Sequence, residues 1–114
     1  MTVTIYLDKL RTYYITDDPC EQCDLFESIF GDCATFYSRE QLITACVKYA
    51  DVFKFAWAAH YMLGPSGYSE YERARTLLYA KYEHDISLIV TPEHQHAAWV
   101  EYQIGIATAF AKTY

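Results

Sequence analysis

The residues with the clearest potential for chemistry are two cysteines, Cys20 and Cys23, separated by Glu21 and Gln22. The run Asp17-Asp18-Pro19 predicts that a helix starts here, because an N-cap Asp accepts free backbone N–H bonds and proline is tolerated at the first helical position. Gly31 predicts its end. On this helix Cys20 lies in the first turn toward solvent and Cys23 lies toward the core. The helix dipole and the free N–H groups lower the pKa of a thiol in that turn, so the pair is a candidate site of thiol chemistry.

An exposed cysteine followed by a buried one resembles the thioredoxin-like redox arrangement. The resemblance implies that Cys20 is the nucleophile and Cys23 the resolving thiol, with Thr91-Pro92 as a candidate for the cis-proline that faces the motif. The chain departs from that family because predicted helices, and not a βαββα order, follow the motif. In addition, the acidic side chains around Cys20 oppose a thiolate.

The same cysteines are also candidate zinc ligands: Cys20, Cys23 and Cys33, with Cys46 or a histidine, would complete a tetrahedral set. A zinc ribbon normally has two C-x-x-C pairs, and this chain has one. Residues 1–10 show no secretory signal, which favours a cytoplasmic protein whose thiols are reduced. The favoured interpretation is therefore four reduced cysteines without a cofactor, and a structural zinc site or thiol redox chemistry is the alternative.

Other catalytic motifs are not evident in the sequence. His60 falls within an apolar helical stripe, which favours a hydrogen-bonded core or rim histidine. His94 and His96 are two residues apart at a predicted helix start, so their side chains point in different directions. The chain has no G-x-S-x-G, no H-E-x-x-H and only four glycines from which to build a phosphate loop. These features favour a protein that is not an enzyme.

The distribution of charge is uneven along the chain. Residues 17–32 contain six acids and no Lys or Arg, whereas the rest of the chain has nine acids and nine bases. A solvated helix face is one interpretation, and a negative stripe that docks on a cationic surface is the other. Surplus aromatic side chains, including a Phe predicted to point away from the core, would anchor such a contact. The candidate partner-binding residues are Asp17, Asp18, Glu21, Asp24, Glu27, Asp32, Phe55, Tyr68, Tyr71 and Tyr79.

Composition narrows the function class. The net charge of -6 disfavours a protein that binds nucleic acid or an anionic membrane directly, since such binding depends on cations. An aromatic content of 18%, with 12 Tyr, suits a protein interface as well as a core. In size and charge the chain resembles small acidic inhibitors from phages and mobile elements, including anti-CRISPR and antirestriction proteins. We therefore expect a non-enzymatic interaction protein that covers a partner's cationic, nucleic-acid-binding surface.

The predicted architecture is a single, predominantly helical α+β domain over residues 1–114 with a small sheet. Val3, Ile5 and Leu7 alternate with Thr2, Thr4 and Tyr6, which predicts a half-buried strand. Residues 10–15 are the candidate hairpin partner of this strand. A capping box at Ser38 and Gln41 opens a predicted long helix over residues 41–62, with an inward face that includes Leu42, Cys46, Phe53 and Trp57.

Two further elements follow in the sequence. A second capping box at Ser69 and Glu72 predicts a third helix that runs to Glu83, and the β-branched run at residues 86–90 predicts a strand. Residues 96–111 fit both a helical and a strand pattern. Their five alanines favour a helix that starts near Thr91-Pro92.

Overall fold

The computed structural model describes residues 2–13, 20–88 and 91–114. These residues form six helices and a two-stranded antiparallel sheet, which confirms the α+β class. In chain order the elements are β1 (Val3–Tyr6), α1 (Leu7–Thr12), α2 (Glu21–Phe30), β2 (Cys33–Phe36), α3 (Arg39–Lys48), α4 (Phe55–Met62), α5 (Pro65–Leu88) and α6 (Pro92–Thr113).

The predicted N-terminal strand is present, but its partner is different from the one expected. β1 pairs antiparallel with β2, with Val3 opposite Phe36 and Tyr6 opposite Cys33. The expected hairpin is wrong for residues 10–12, because residues 7–12 form α1. Residues 14–15 of the expected partner strand lie outside the described residues. Leu7 and Leu10 are both buried, and their spacing of three places both on one helix face, whereas on a strand they would point to opposite faces.

Helix α2 follows the prediction at its end and shifts at its start. Gly31 ends the helix with φ 75°, a conformation that favours glycine. The first helical residue is Glu21, and Cys20 is the N-cap. The start proposed at Asp17-Asp18-Pro19 lies outside the described residues. Cys23 and Phe26 are buried, so the inward face is the predicted one.

The long helix predicted for residues 41–62 is wrong, because the chain forms two helices, α3 and α4, joined by a turn. The N-cap at its start is the predicted one, since Ser38 Oγ accepts from the Gln41 N–H. Gln41 Oε1 accepts from the Tyr37 N–H, one residue before the N–H that a regular capping box uses. The turn allows Phe53 and Phe55 to lie with their ring centroids 6.4 Å apart. On one continuous helix these side chains would point about 200° apart.

Helix α5, which the sequence predicts as the third helix, is longer at both ends than predicted. It begins at Pro65 instead of Ser69, since proline suits the first helical position. The strand predicted over residues 86–90 is wrong for residues 86–88, which continue α5, and residues 89–90 lie outside the described ranges. Packing against α6 overrides the strand preference of β-branched side chains in this segment.

Helix α6 confirms the helical interpretation of residues 96–111. Thr91 is the N-cap, and its Oγ1 accepts from the His94 N–H. Helix α6 approaches α5 closely at Gly105, where an added Cβ would lie 2.7 Å from Leu78 Cδ2 and would force the Leu78 side chain to shift. Arg39 Nη1 donates to the Ala111 carbonyl at 2.7 Å, which ties α3 to the end of α6.

Two apolar clusters form the core. The larger one joins α3, α4, the start of α5 and the end of α6, with Leu42, Tyr71 and Phe110 among its buried members. The smaller one joins β1, α1, α2 and β2 around Leu10, Cys23 and Phe26. Residues of both clusters line an apolar cavity of about 80 Å³.

Tyr71 provides a test of the larger cluster. Its side chain is 1% exposed, and within the described residues its hydroxyl has no hydrogen-bond partner. A buried hydroxyl without a partner costs free energy, so Tyr71→Phe should leave the free energy of unfolding unchanged or raise it by up to about 1 kcal/mol. Urea denaturation at neutral pH measures this. A loss greater than about 1 kcal/mol would show that the hydroxyl has a partner in solution.

The same substitution should change the response to alkali. Burial raises the pKa of Tyr71 from its ordinary value of 10.0 to about 12. As the pH rises, the unfolded chain therefore loses this proton before the folded chain does. The contribution of Tyr71 to the free energy of unfolding is fully present below the unfolded pKa of 10.0 and is lost as the pH rises through the folded pKa of about 12. Tyr71→Phe should remove this component of the alkaline loss.

Candidate functional site

The outer part of the α5–α6 pair packs on little else in the described protein, so most of its side chains are exposed or half-buried. We call residues 75–88 of α5 together with residues 92–105 of α6 the arm. The larger core cluster reaches Tyr71 in α5 and Ala107 in α6, and within the arm Ala98 is the only buried residue of those described. Five of the eight exposed large apolar side chains of the described chain lie there: Leu77, Tyr79, Leu88, Trp99 and Ile104.

Four aromatic rings form a continuous patch on the arm. Tyr79 and Tyr82 are one helical turn apart on α5, and Trp99 and Tyr102 are one turn apart on α6, so the two pairs meet across the hairpin. The ring centroids of Tyr82 and Tyr102 lie 5.5 Å apart, and those of Tyr82 and Trp99 lie 5.6 Å apart. Tyr79 is 45% exposed and Trp99 is 40% exposed. We refer to these four side chains as the aromatic quartet.

The surroundings of the quartet are acidic. Residues 70–101 hold six acids and three bases, and two of those bases pair with carboxylates of the same region. Lys81 Nζ lies 2.9 Å from Asp85 Oδ2 and 2.8 Å from Glu101 Oε1, and these hydrogen bonds raise the pKa of Lys81. A hydrogen bond to the exposed Glu83 raises the pKa of the Tyr79 hydroxyl.

The aromatic anchors predicted from sequence are only partly at this surface. Tyr79 belongs to the quartet, and Tyr68 is half-buried next to Tyr71. The expectation that Phe55 points away from the core is wrong: it is 7% exposed and packs on Phe110, because the turn before α4 rotates its ring inward. Tyr71 is buried as well, so neither side chain can touch a partner in this conformation.

The acidic stripe is present on α2, although one of its members is neutralised. Glu21, Asp24 and Glu27 are exposed, as is Asp32 beyond the helix end. The Glu27 carboxylate accepts a hydrogen bond from Arg11 Nη2 at 2.7 Å, an ion pair that reduces the local negative charge. The remaining predicted members, Asp17 and Asp18, lie outside the described residues.

The cysteines differ from the expectation of four reduced thiols. Cys20 and Cys23 form a disulfide, with Cα atoms 5.2 Å apart. Cys33 is an exposed free thiol, and Cys46 is buried, which raises the pKa of its thiol to about 12. In the described ranges no three His, Cys, Asp or Glu side chains come together as a metal site, and the disulfide occupies two of the four zinc ligands considered from sequence.

Comparisons with protein-family models, with curated proteins and with solved structures return no match. Among the described helices, none combines the length and the apolar character needed to cross a membrane.

Proposed function

We propose that this chain is a non-enzymatic interaction protein that covers the surface of a partner protein through its arm. The observation that carries the proposal is the aromatic quartet, in which rings of two helices contact one another while Tyr79 and Trp99 remain substantially exposed. Tyrosine and tryptophan are enriched among the residues that dominate binding energy at interfaces.

The position of the quartet favours binding over a purely structural role. Rings held by their neighbours lose little side-chain freedom when a partner covers them, so less of the binding energy is spent on ordering. Each ring also has a polar group, a hydroxyl or an indole N–H, that can bond to the partner at the edge of an apolar contact.

Charge indicates the class of partner. The acidic surroundings of the quartet and the stripe on α2 favour a cationic surface, where guanidinium groups can stack on the rings and pair with the carboxylates. A nucleic-acid-binding groove is such a surface. The specific form of the proposal is inhibition of a nucleic-acid-binding protein, in the manner of the phage and mobile-element inhibitors that the chain resembles in size and charge.

The contribution of the stripe can be separated from that of the quartet. Replacing Glu21, Asp24 and Glu27 with Gln, Asn and Gln should lower the association rate and reduce its dependence on salt, because these charges act over about 8 Å at physiological ionic strength. The free energy of unfolding should change little, since all three side chains are exposed. Association kinetics with a partner captured from a lysate of the native host, measured at several salt concentrations, test this expectation.

A matched control keeps the same change of charge. Asp8, Glu40 and Asp51 are exposed acids outside both the stripe and residues 70–101, and their replacement by Asn, Gln and Asn removes three charges elsewhere. Equal losses of association rate in the two triple variants would mean that the net charge of the protein matters and the position of the stripe does not.

A further inference from the structure

We propose that the Cys20–Cys23 disulfide is a site of thiol–disulfide exchange that external thiols attack at Cys20 alone. The proposal does not depend on the partner-binding function of the arm.

The two sulfurs of this disulfide differ in accessibility. Cys23 is 0% exposed within the smaller core cluster, whereas Cys20 is half-buried at the edge of that cluster. Because an incoming thiolate must reach one sulfur along the S–S axis, burial of Cys23 leaves Cys20 as the only sulfur open to attack. Gln22, between the two cysteines, accepts a hydrogen bond from the Lys54 N–H at 2.7 Å, which holds this turn of α2 against the α3–α4 connection.

The backbone around Cys20 favours its release in the second step of the exchange, in opposition to the negative charges of Glu21 and Asp24. Its Sγ caps α2 and accepts a hydrogen bond from the Cys23 N–H at 3.2 Å. This N–H and the helix N-terminus stabilise negative charge on Cys20 when it leaves a mixed disulfide. After reduction, Cys23 is suited to remain in the core as a neutral thiol that packs like a small apolar side chain.

The reaction with an external dithiol then balances in two steps. In the first step, a thiolate of the dithiol bonds to Cys20 Sγ, the Cys20–Cys23 bond breaks, and Cys23 leaves as a thiolate that takes a proton from solvent. In the second step, the other thiolate of the dithiol attacks the sulfur attached to Cys20 and releases Cys20. The dithiol is oxidised to its cyclic disulfide, and the protein pair gains two electrons and two protons.

The charge of an external thiol should affect the rate at which it opens the Cys20–Cys23 disulfide. Glu21 and Asp24 are exposed on the first turn of α2 beside Cys20, so they repel an anionic thiol and attract a cationic one. We therefore expect cysteamine to open the disulfide faster than mercaptoethanesulfonate at equal thiolate concentration. This preference should disappear in a Glu21→Gln, Asp24→Asn variant.

The site of attack is tested with two variants, each of which keeps only one cysteine of the Cys20–Cys23 pair. Both variants also carry Cys33→Ser, which removes the exposed free thiol. Cys23→Ser should form a mixed disulfide with cystamine at Cys20 at least about tenfold faster than Cys20→Ser forms one at Cys23, as followed by intact mass. Cys23→Ala, which keeps an apolar side chain in the core, serves if Cys23→Ser does not fold. Circular dichroism confirms that the compared variants are folded.

Equal reaction rates at Cys20 and Cys23 would overturn the proposal. So would a native disulfide that dithiothreitol reduces only in urea, because exchange would then require unfolding. Neither outcome depends on whether a protein partner binds the arm.

Discussion

Replacing Tyr79 and Trp99 together with alanine should abolish capture of the partner while leaving the fold intact. Truncation of a central aromatic residue in an interface typically costs 2 kcal/mol or more, which corresponds to a loss of affinity of about 30-fold for each ring. Tyr79 and Trp99 each contact Tyr82 and Tyr102, so the double variant loses four ring pairs. Because the two side chains are 45% and 40% exposed, each pair should contribute at the low end of its usual range, about 0.5 kcal/mol, or about 2 kcal/mol in total. Capture from lysate and a urea melt measure the two effects.

Exposed tyrosines elsewhere provide the control for this prediction. Tyr6 and Tyr37 are 56% and 68% exposed, lie outside the arm and carry the same side chain as Tyr79. Tyr6→Ala with Tyr37→Ala should capture the partner as the unaltered protein does. If this control variant loses binding and the arm variant keeps it, recognition belongs to the sheet end of the molecule.

Phe110→Ala should lower the free energy of unfolding by about 3–5 kcal/mol, the usual range for removal of a buried phenylalanine ring. Phe110 is 2% exposed in the larger core cluster, and its ring centroid lies 5.5 Å from those of Phe55 and Tyr114. The cavity left by the ring would separate α4 from the end of α6, so little relaxation is expected. Urea denaturation followed by circular dichroism gives the value.

Ile104 offers a matched control on the same helix. Its side chain is 38% exposed, so Ile104→Ala should cost less than about 1 kcal/mol. A Phe110→Ala variant as stable as Ile104→Ala would mean that α6 does not pack on α4 as described.

Much of the helical framework is predictable from local sequence signals. The predicted helix boundaries at Ser38, Thr91 and Gly31 are confirmed. The side-chain oxygens of Ser38 and Thr91 cap the starts of α3 and α6, and Gly31 ends α2. The amphipathic face of α2 is also predicted correctly, because its apolar and acidic residues separate cleanly at the helical period.

The errors occur where distant contacts outweigh local preference. Residues 49–54 keep the helical pattern of their flanks, yet a turn there lets Phe53 and Phe55 approach each other. Residues 86–88 have a strand-like composition but continue α5 because α6 packs alongside. Pairing of β1 with β2 joins segments about 30 residues apart, a contact that period-2 alternation in one strand does not specify.

The candidate site is predictable only in part. The sequence indicates that tyrosine is in excess and identifies Tyr79, but Tyr82, Trp99 and Tyr102 fit an inward helical stripe equally well. Their exposure depends on how far the core extends along α5 and α6, and helical periodicity has no information on that point. The i,i+3 spacing of aromatic residues on both helices is the signal that could have indicated the quartet.

The most direct test of the proposed function is hydroxyl-radical footprinting of the protein alone and in complex with the captured partner. Side-chain oxidation reports solvent exposure, so rings that a partner covers become protected. We expect oxidation of Tyr79 and Trp99 to fall strongly in the complex while oxidation of Tyr37 stays the same. Unchanged oxidation of Tyr79 and Trp99 in a complex that is fully formed would contradict the proposal that the arm is the binding surface.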